Sequence, residues 1–213
     1  LVARQFDPDQ RLFTGEPVRL APGVAAFSIS PDGTVAYRTG VSTGLGTAGV
    51  RQLVWLDRSG RPLSTLADAQ TAGPPVLSPD GQHVAIYRAG DIWILDTTRS
   101  GRIRLTTNPE NDAFPIWSPD GGRVAFQSYQ KGLAGEIYVK SAAATGPEDV
   151  VLSTPDVTHP MDWSPDGQFV LYRTQPQGSN TLQWNLWAVA VDGKSKPFPV
   201  VQTPFREGAA RFS

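Results

Sequence analysis

The tetrapeptide Ser-Pro-Asp-Gly occurs four times in this chain of 213 residues, and no other feature constrains the fold as strongly. Successive copies are 48, 40 and 46 residues apart, and they begin at Ser30, Ser78, Ser118 and Ser164. Each residue type suits a tight turn. Serine bonds the nearby backbone, proline presets φ, aspartate tolerates the second central position, and glycine adopts the left-handed conformation. Short apolar runs flank every copy, and this arrangement predicts a β-hairpin.

Each repeat contains two further predicted strands after its hairpin, and no segment shows helical periodicity. The strands that enter the turns are predicted at Ala26–Ile29, Pro75–Leu77, Phe114–Trp117 and Met161–Trp163. Four-stranded repeats of this length are typical of β-propeller blades, which bury their faces by stacking around an axis. We therefore predict an all-β propeller of four-stranded antiparallel blades, and we expect most of the six tryptophans to pack between blades.

The repeats divide the chain, which we interpret as one propeller domain or a fragment of one. The prediction places a partial blade at 1–23, four blades at about 24–70, 71–110, 111–156 and 157–205, and the start of a further blade at 206–213. Incomplete end blades leave open sheet edges, and such edges invite pairing. A homo-oligomer or a strand exchange is the resulting hypothesis.

Composition excludes several classes of function. The net charge of −1 argues against a nucleic-acid surface, which needs a basic stripe. No run of about 20 apolar residues is present, so we expect no membrane insertion of this segment. The absence of cysteine excludes disulfides, thiol catalysis and zinc–thiolate sites. We predict no cofactor.

Three motifs suggest catalysis or metal binding, but the residues around them favour other interpretations. Gly44–Gly49 matches G-x-G-x-x-G, yet a strand rather than a helix is predicted after it, and no catalytic kinase motif follows. No G-x-S-x-G nucleophile motif occurs, so we predict that this chain is not itself an enzyme. His83 and His159 stand in different settings, and the turn aspartates lack an oxygen-rich calcium loop, so we predict no metal site.

The segment Phe-Pro-Ile-Trp-Ser-Pro-Asp-Gly-Gly-Arg-Val-Ala-Phe at Phe114–Phe126, with Ile-Tyr-Val at Ile137–Val139, resembles the WD40-like PD40 repeat of TolB-type propellers. Propellers of that type usually have six blades, whereas this chain has four complete repeats. Gln5–Pro8 and Arg51–Gly60 are further similar to the propeller that follows the kinase domain of bacterial serine/threonine protein kinases. This resemblance implies an extracytoplasmic sensor or interaction module, periplasmic or on the extracellular face.

Polar residues stand just before each predicted first strand, which is the innermost strand of a propeller blade. We therefore expect them to surround the mouth of the central channel, where the resemblance implies that TolB-like propellers take up a partner segment. The candidate binding residues are Asn111, Asp112, Thr158, His159, Arg206 and Glu207, and Asp112 and Arg206 are the candidate charged anchors. The partner class is a protein or peptide, or a small-molecule signal. Ordinary loop solvation and strand capping are the alternative.

Two alternative functions remain open from the sequence. Prolyl-oligopeptidase-like peptidases carry a related propeller as a gate over a separate hydrolase domain, and this chain would then be the gate alone. A scaffold like TolB itself, which docks an envelope partner, is the third interpretation. Fold alone does not choose among these functions.

Overall fold

The structure is a computed structural model that describes residues 2–7, 12–19, 24–29, 35–39, 53–56, 61–66, 73–99, 101–130, 135–179, 184–202 and 210–212. Every regular element in these ranges is a β-strand, and no described helix is long and apolar enough to cross a membrane. One two-stranded sheet comes first, made of β1 (Val2–Asp7) and β2 (Leu12–Arg19). Four antiparallel four-stranded sheets follow it.

The four sheets are numbered here in chain order, and each uses four consecutive strands. Sheet 1 contains β3 (Val24–Ile29), β4 (Val35–Thr39), β5 (Leu53–Leu56) and β6 (Pro62–Leu66). Sheet 2 contains β7 (Val76–Leu77), β8 (His83–Arg88), β9 (Asp91–Asp96) and β10 (Arg102–Arg104). Sheet 3 contains β11 (Asp112–Trp117), β12 (Arg123–Ser128), β13 (Glu136–Ser141) and β14 (Asp149–Ser153). Sheet 4 contains β15 (Val157–Trp163), β16 (Phe169–Gln175), β17 (Asn185–Ala190) and β18 (Phe198–Val201).

The Ser-Pro-Asp-Gly turn joins the first two strands of each described repeat by the predicted chemistry. In sheet 3 the Gly121 N–H donates to the Ser118 carbonyl at 2.9 Å, and Gly121 has φ +68°. The Ser118 hydroxyl donates to Asp120 Oδ1 and accepts from the Arg123 N–H at 2.9 Å. The turn is thereby closed by side chains as well as by the backbone. The copies at Ser78 and Ser164 repeat these hydrogen bonds.

Among the described residues, three apolar clusters form the core, and each lies between two successive sheets. Sheets 1 and 2 are joined by Leu53, Trp55, Leu77, Val84, Ile86 and Leu95. Sheets 2 and 3 are joined by Ala85, Ile92, Ile94, Leu105, Trp117, Val124, Phe126 and Tyr138. Sheets 3 and 4 are joined by Ile116, Ala125, Ile137, Val139, Val151, Leu152, Trp163, Val170, Tyr172 and Val189. Because neighbouring positions of a strand point to opposite faces, one sheet supplies residues to two clusters.

Tryptophans of the first strands connect neighbouring sheets, as the sequence predicted. Trp117 Nε1 donates to the Val76 carbonyl of sheet 2 at 2.9 Å, and the Trp117 ring lies 6.2 Å from the ring of His83. In the next repeat the guanidinium of Arg123 lies 5.0 Å from the centre of the Trp163 ring. Trp163 Nε1 is buried without an acceptor among the described residues. The indole N–H at this position is therefore hydrogen-bonded in sheet 3, whereas in sheet 4 it lacks an acceptor among the described residues.

The first strands of sheets 3 and 4 begin earlier than the sequence predicted. β11 starts at Asp112 rather than Phe114, and β15 starts at Val157 rather than Met161. Each strand contains an irregularity, between Ala113 and Ile116 in β11 and between Pro160 and Asp162 in β15. On the N-terminal side of each irregularity the strand is again paired with its neighbour. The polar residues Asp112, Thr158 and His159, which were expected before the strands, therefore belong to the strands.

The first strands of consecutive sheets lie beside one another. The residues at which these strands begin are therefore taken together as one end of the sheets. We call the end where these strands begin the mouth end, and the opposite end, with the Ser-Pro-Asp-Gly turns, the turn end. The segment 210–212 lies beside β15, where Arg211 Nη1 and the Phe212 N–H both donate to the Asp162 carboxylate.

Candidate functional site at the mouth end

The structure places four of the six predicted site residues. Asn111 is exposed directly before β11, whereas Asp112 and Thr158 are completely buried within β11 and β15. His159 is half-buried in β15. Arg206 and Glu207 lie outside the described residues.

Asp112 belongs to a polar row across sheet 3 at the mouth end. It pairs in register with Ser128, which pairs in turn with Glu136, so the three side chains share one face of the sheet. All three are at most 1% exposed. Asn108 Nδ2 donates to Asp112 Oδ2 at 2.7 Å, and burial raises the pKa of the Asp112 carboxyl. The Asp112 carboxyl is therefore enclosed in the wall between sheets 2 and 3 and is not exposed at the mouth end.

The same row continues into that wall through Tyr138. The Tyr138 hydroxyl donates to Glu136 Oε2 at 2.6 Å, and burial together with this carboxylate raises the pKa of Tyr138 well above its ordinary value. The Tyr138 hydroxyl therefore stays protonated, and it holds the buried Glu136 carboxylate in place.

A second polar group lies in the wall between sheets 3 and 4. Thr158 pairs in register with Thr174, and both hydroxyls are buried without a hydrogen-bond partner in the described part of the chain. The Gln127 side chain is on the face of sheet 3 that packs on sheet 4, and its amide is likewise buried with no hydrogen-bond partner among the residues that the structure describes. Gly135, with φ +74°, leaves room for that amide, since a Cβ there would lie 2.4 Å from Gln127 Nε2.

His159 is the centre of an aromatic cluster at the mouth end. Its ring stacks on Phe114 of sheet 3, with 4.1 Å between ring centres and 21° between planes. The centre of the His159 ring also lies 4.8 Å from that of Trp184, with 35° between the planes. Arg173 lies 4.5 Å above the Trp184 ring and donates to His159 Nδ1 from Nε and Nη2, at 3.0 and 2.8 Å. We call these four residues the mouth cluster.

The electrostatics of the mouth cluster fix the state of the histidine. Burial and the Arg173 charge lower the pKa of His159 to about 3. Because Nδ1 accepts from Arg173, the ring proton of neutral His159 is on Nε2. The mouth cluster therefore contains an N–H donor whose position is fixed, close to two aromatic rings.

Sequence reasoning identified His159 but missed Phe114, Arg173 and Trp184 as its partners. Arg173 pairs in register with His159 on the neighbouring strand, so an alignment of the two strands of the hairpin would have found it. Phe114 has φ +54°, and this backbone conformation turns its ring towards sheet 4. The positive φ of Phe114 interrupts the regular strand, and no periodic pattern in the sequence predicts such an interruption.

The other motifs noted in the sequence form no metal or catalytic site within the described residues. Gly44–Gly49 lies outside the described residues. The described ranges contain no group of three or more His, Cys, Asp or Glu residues arranged to hold a metal ion. The turn aspartates Asp80, Asp120 and Asp166 are occupied by their turn serines and by backbone N–H groups, which lower the pKa of each carboxyl.

Comparison with known proteins supports the propeller fold. TolB from Acinetobacter baumannii superposes with a TM-score of 0.71 and 22% identity, over 94% of this chain and 49% of that chain. A putative TolB from Agrobacterium tumefaciens also gives 0.71 and 22%, over 94% and 69%. Hydrazine synthase from Kuenenia stuttgartiensis gives 0.62 and 15%, over 97% and 62%. The prediction of an all-β propeller with four-stranded antiparallel sheets is confirmed, and its structural neighbours include TolB proteins.

One curated protein provides a relative by sequence. An uncharacterized peptidase of Bacillus subtilis, YuxL, is 30% identical over 107 residues, which are 46% of this chain and 16% of that protein. The chain thus matches a small part of the length of this relative. No protein-family model matches the chain.

Proposed function

We propose that this chain is a non-catalytic recognition module that binds an extended peptide segment of a protein partner at its mouth end. The observation that carries the proposal is the mouth cluster. It combines the half-buried His159 and the Phe114 ring, both on the innermost strands of their sheets, with Arg173 of β16 and the Trp184 ring just before β17. Such a combination of apolar surface with a few fixed polar groups is typical of recognition sites.

The state of His159 determines what the mouth cluster recognises. Its Nε2–H donates a hydrogen bond, so the complementary group is an acceptor such as a peptide carbonyl. Phe114 and Trp184 both contact the His159 ring, and Arg173 fixes its tautomer. Little side-chain freedom is lost on binding, and this preorganisation favours affinity. The exposed Asn111 belongs to the proposed rim, and Arg206 and Glu207 remain candidates from the sequence that lie outside the described residues.

The proposed setting is a bacterial protein with this propeller on the extracytoplasmic side. The PD40 repeat and the resemblance to propellers that follow bacterial serine/threonine kinase domains support a sensor or an interaction module. A homo-oligomer or strand exchange through the end pieces remains part of this proposal. A solution mass equal to one chain, measured by light scattering, would contradict that part.

The test is an affinity capture from bacterial envelope extract, read by mass spectrometry, with two matched variants. His159→Phe retains ring stacking but removes the N–H donor, whereas His83→Phe makes the same change at the turn end. We expect one partner to be captured by the original chain and by His83→Phe, and lost from His159→Phe. A partner held equally by all three would contradict binding at the mouth cluster.

A second function is favoured by the match to the Bacillus subtilis protein, which is named a peptidase. In this proposal the chain is the propeller gate of a prolyl-oligopeptidase-like peptidase, and the mouth end admits the substrate peptide. The discriminating experiment labels the full-length gene product with a fluorophosphonate, which reacts with activated serines. Labelling outside residues 1–213 would favour the gate, and an unlabelled protein that still captures a partner would favour the recognition module.

A further inference from the structure

Phe114 of the mouth cluster has a backbone conformation that its residue type disfavours. Its φ is +54°, in the left-handed region, where the side chain of an L-residue crowds the following carbonyl oxygen. The other described non-glycine residues with positive φ, Ala89 and Ala144, lie in turns between strands, whereas Phe114 lies inside β11. Pro115 follows it, and a residue before proline favours extended backbone. The backbone of Phe114 is therefore strained.

The repeat itself does not require this conformation. Phe114 stands four residues before the turn serine Ser118, and the equivalent residues of sheets 2 and 4 are Pro74 and Pro160. Because the proline ring fixes φ at about −65°, both of those repeats are built with a negative φ at this position. The left-handed conformation is thus particular to sheet 3, and its cause lies in what the Phe114 side chain contacts.

The contact that holds Phe114 in place is its stack on His159. The two ring centres are 4.1 Å apart with 21° between the planes, so the half-buried Phe114 ring covers one face of the imidazole. The imidazole has other supports. Arg173 donates to its Nδ1 at 3.0 and 2.8 Å, and Trp184 lies 4.8 Å from it. If the Phe114 ring moved away, the histidine would keep its position and one of its faces would be uncovered.

We propose that Phe114 is an internal competitor at the mouth cluster, and that the peptide segment recognised there carries an aromatic side chain that displaces it. This inference rests on the proposed function of the mouth cluster. In the free chain the Phe114 ring covers His159. When the peptide binds, its aromatic ring stacks on His159 instead, and Phe114 returns to a negative φ. An aromatic ring is the matching group because the imidazole face already accepts one in a stacked arrangement.

Release of backbone strain assists this exchange. The left-handed conformation is disfavoured about tenfold for an L-residue, and that factor is recovered when Phe114 relaxes. The stack that is lost and the stack that is gained are of the same kind, so the exchange of rings changes little else. An aliphatic side chain cannot form a flat stack on the imidazole and would not replace what is lost. The competitor therefore selects for aromatic segments.

The test is an NMR titration of the purified chain with acetyl-Gly-Phe-Gly-amide, with acetyl-Gly-Leu-Gly-amide as the comparison peptide. The chain has two histidines, so the His83→Phe variant identifies the imidazole signals of His159. Phe114→Ala removes the competing ring, and Phe114→Leu removes the flat ring but keeps apolar bulk. The matched control, Phe169→Ala, makes the same deletion at the turn end, where β16 begins. Circular dichroism checks that each variant is folded.

We expect both Phe114 variants to bind the phenylalanine peptide about tenfold more tightly than the original chain, because no ring has to leave the imidazole first. Phe169→Ala should bind it as the original chain does. The leucine peptide should bind the Phe114 variants about fivefold more weakly than the phenylalanine peptide. Unchanged or weaker binding by the folded Phe114 variants, equal affinity for the leucine peptide, an equal gain in Phe169→Ala, or an absence of saturation would each overturn the proposal.

The envelope capture separates failure of this inference from failure of the proposed function. Phe114→Ala should retain the partner that His159→Phe loses, and should capture more of it than the original chain does. Loss of the partner from both variants would keep the peptide site but overturn the displacement, because Phe114 would then be a fixed part of that site. A partner held equally by His159→Phe and the original chain would contradict the peptide site itself.

Discussion

The repeat offers an internal comparison that isolates the contribution of one indole N–H to stability. Trp117 and Trp163 occupy the same position before their turns, and both are at most 8% exposed. Trp117 Nε1 donates to the Val76 carbonyl at 2.9 Å, whereas Trp163 Nε1 is buried without an acceptor among the described residues. Replacing each by phenylalanine removes the same atoms, so the difference between the two variants reports on the hydrogen bond.

The magnitudes follow from the atoms removed. Each substitution deletes two buried ring carbons, which costs about 1.5 kcal/mol at roughly 0.8 kcal/mol per carbon. Trp117→Phe also loses a net hydrogen bond worth about 1 kcal/mol, for a total near 2.5 kcal/mol. Trp163→Phe instead removes an unpaired buried donor, whose desolvation costs about 1–3 kcal/mol. Its net effect on the free energy of unfolding is expected to be close to zero.

The assay is urea unfolding of the two variants and the original chain, followed by circular dichroism. With a slope of about 2 kcal/mol per molar urea, a difference of about 2.5 kcal/mol separates the two midpoints by about 1.2 M. The slopes must agree among the three proteins for this comparison to hold. If Trp163→Phe were as destabilising as Trp117→Phe, the reasoning from the hydrogen bond would be refuted.

Three further predictions concern backbone conformation and pH. Gly135→Ala should destabilise the chain more than Gly146→Ala in urea unfolding. Both glycines have positive φ, but of the two only Gly135 would bring a Cβ into a clash with a side chain, at Gln127 Nε2. Equal losses of stability would contradict this. The pKa of His159 is lowered from 6.5 to about 3, so the unfolded chain binds a proton that the folded chain does not bind between these values. Stability should therefore fall as pH drops through that window, and His159→Phe should reduce the slope; an unchanged slope in thermal scans would count against it. The pKa of Asp120 is lowered from 3.8, so its contribution is complete above that pH and is lost below it. Asp120→Asn should accordingly lose stability at neutral pH and show less further loss in acid, and a parallel pH profile would argue against this.

The sequence predicted the hairpins because their turn chemistry is local. Ser118, Asp120 and Gly121 bond one another within six residues, and no distant contact is needed to form the turn. The alternation of apolar residues in the third strands is equally local, and each of those strands is present. The sheets and their order could therefore be predicted from one chain.

The starts of the first strands could not be predicted because their burial depends on neighbouring sheets. Asp112 and Thr158 are polar and precede apolar runs, so they have the character of loop residues. In the structure they are completely buried against the wall of the adjacent sheet. Tertiary packing outweighs local polarity at these positions, and the sequence of one repeat contains no sign of it.

The residues that contact His159 in the candidate site could not be predicted from the sequence for the same reason. Phe114 is 45 residues before it in the chain, and Trp184 is 25 residues after it. Their meeting depends on the irregularity in β11 and on how sheets 3 and 4 stack. Sequence reasoning could identify the end of the sheets, but it could not identify which rings would enclose the histidine.

The three apolar clusters have a consequence for how the chain acquires its structure during synthesis. Each cluster joins sheets that are consecutive in the chain, and the Trp117–Val76 bond spans only 41 residues. A newly made sheet can therefore pack on its predecessor before the next repeat is available. Contacts of short sequence separation favour fast folding. We expect the propeller to assemble one repeat at a time, in the order in which the ribosome or a translocation channel releases it.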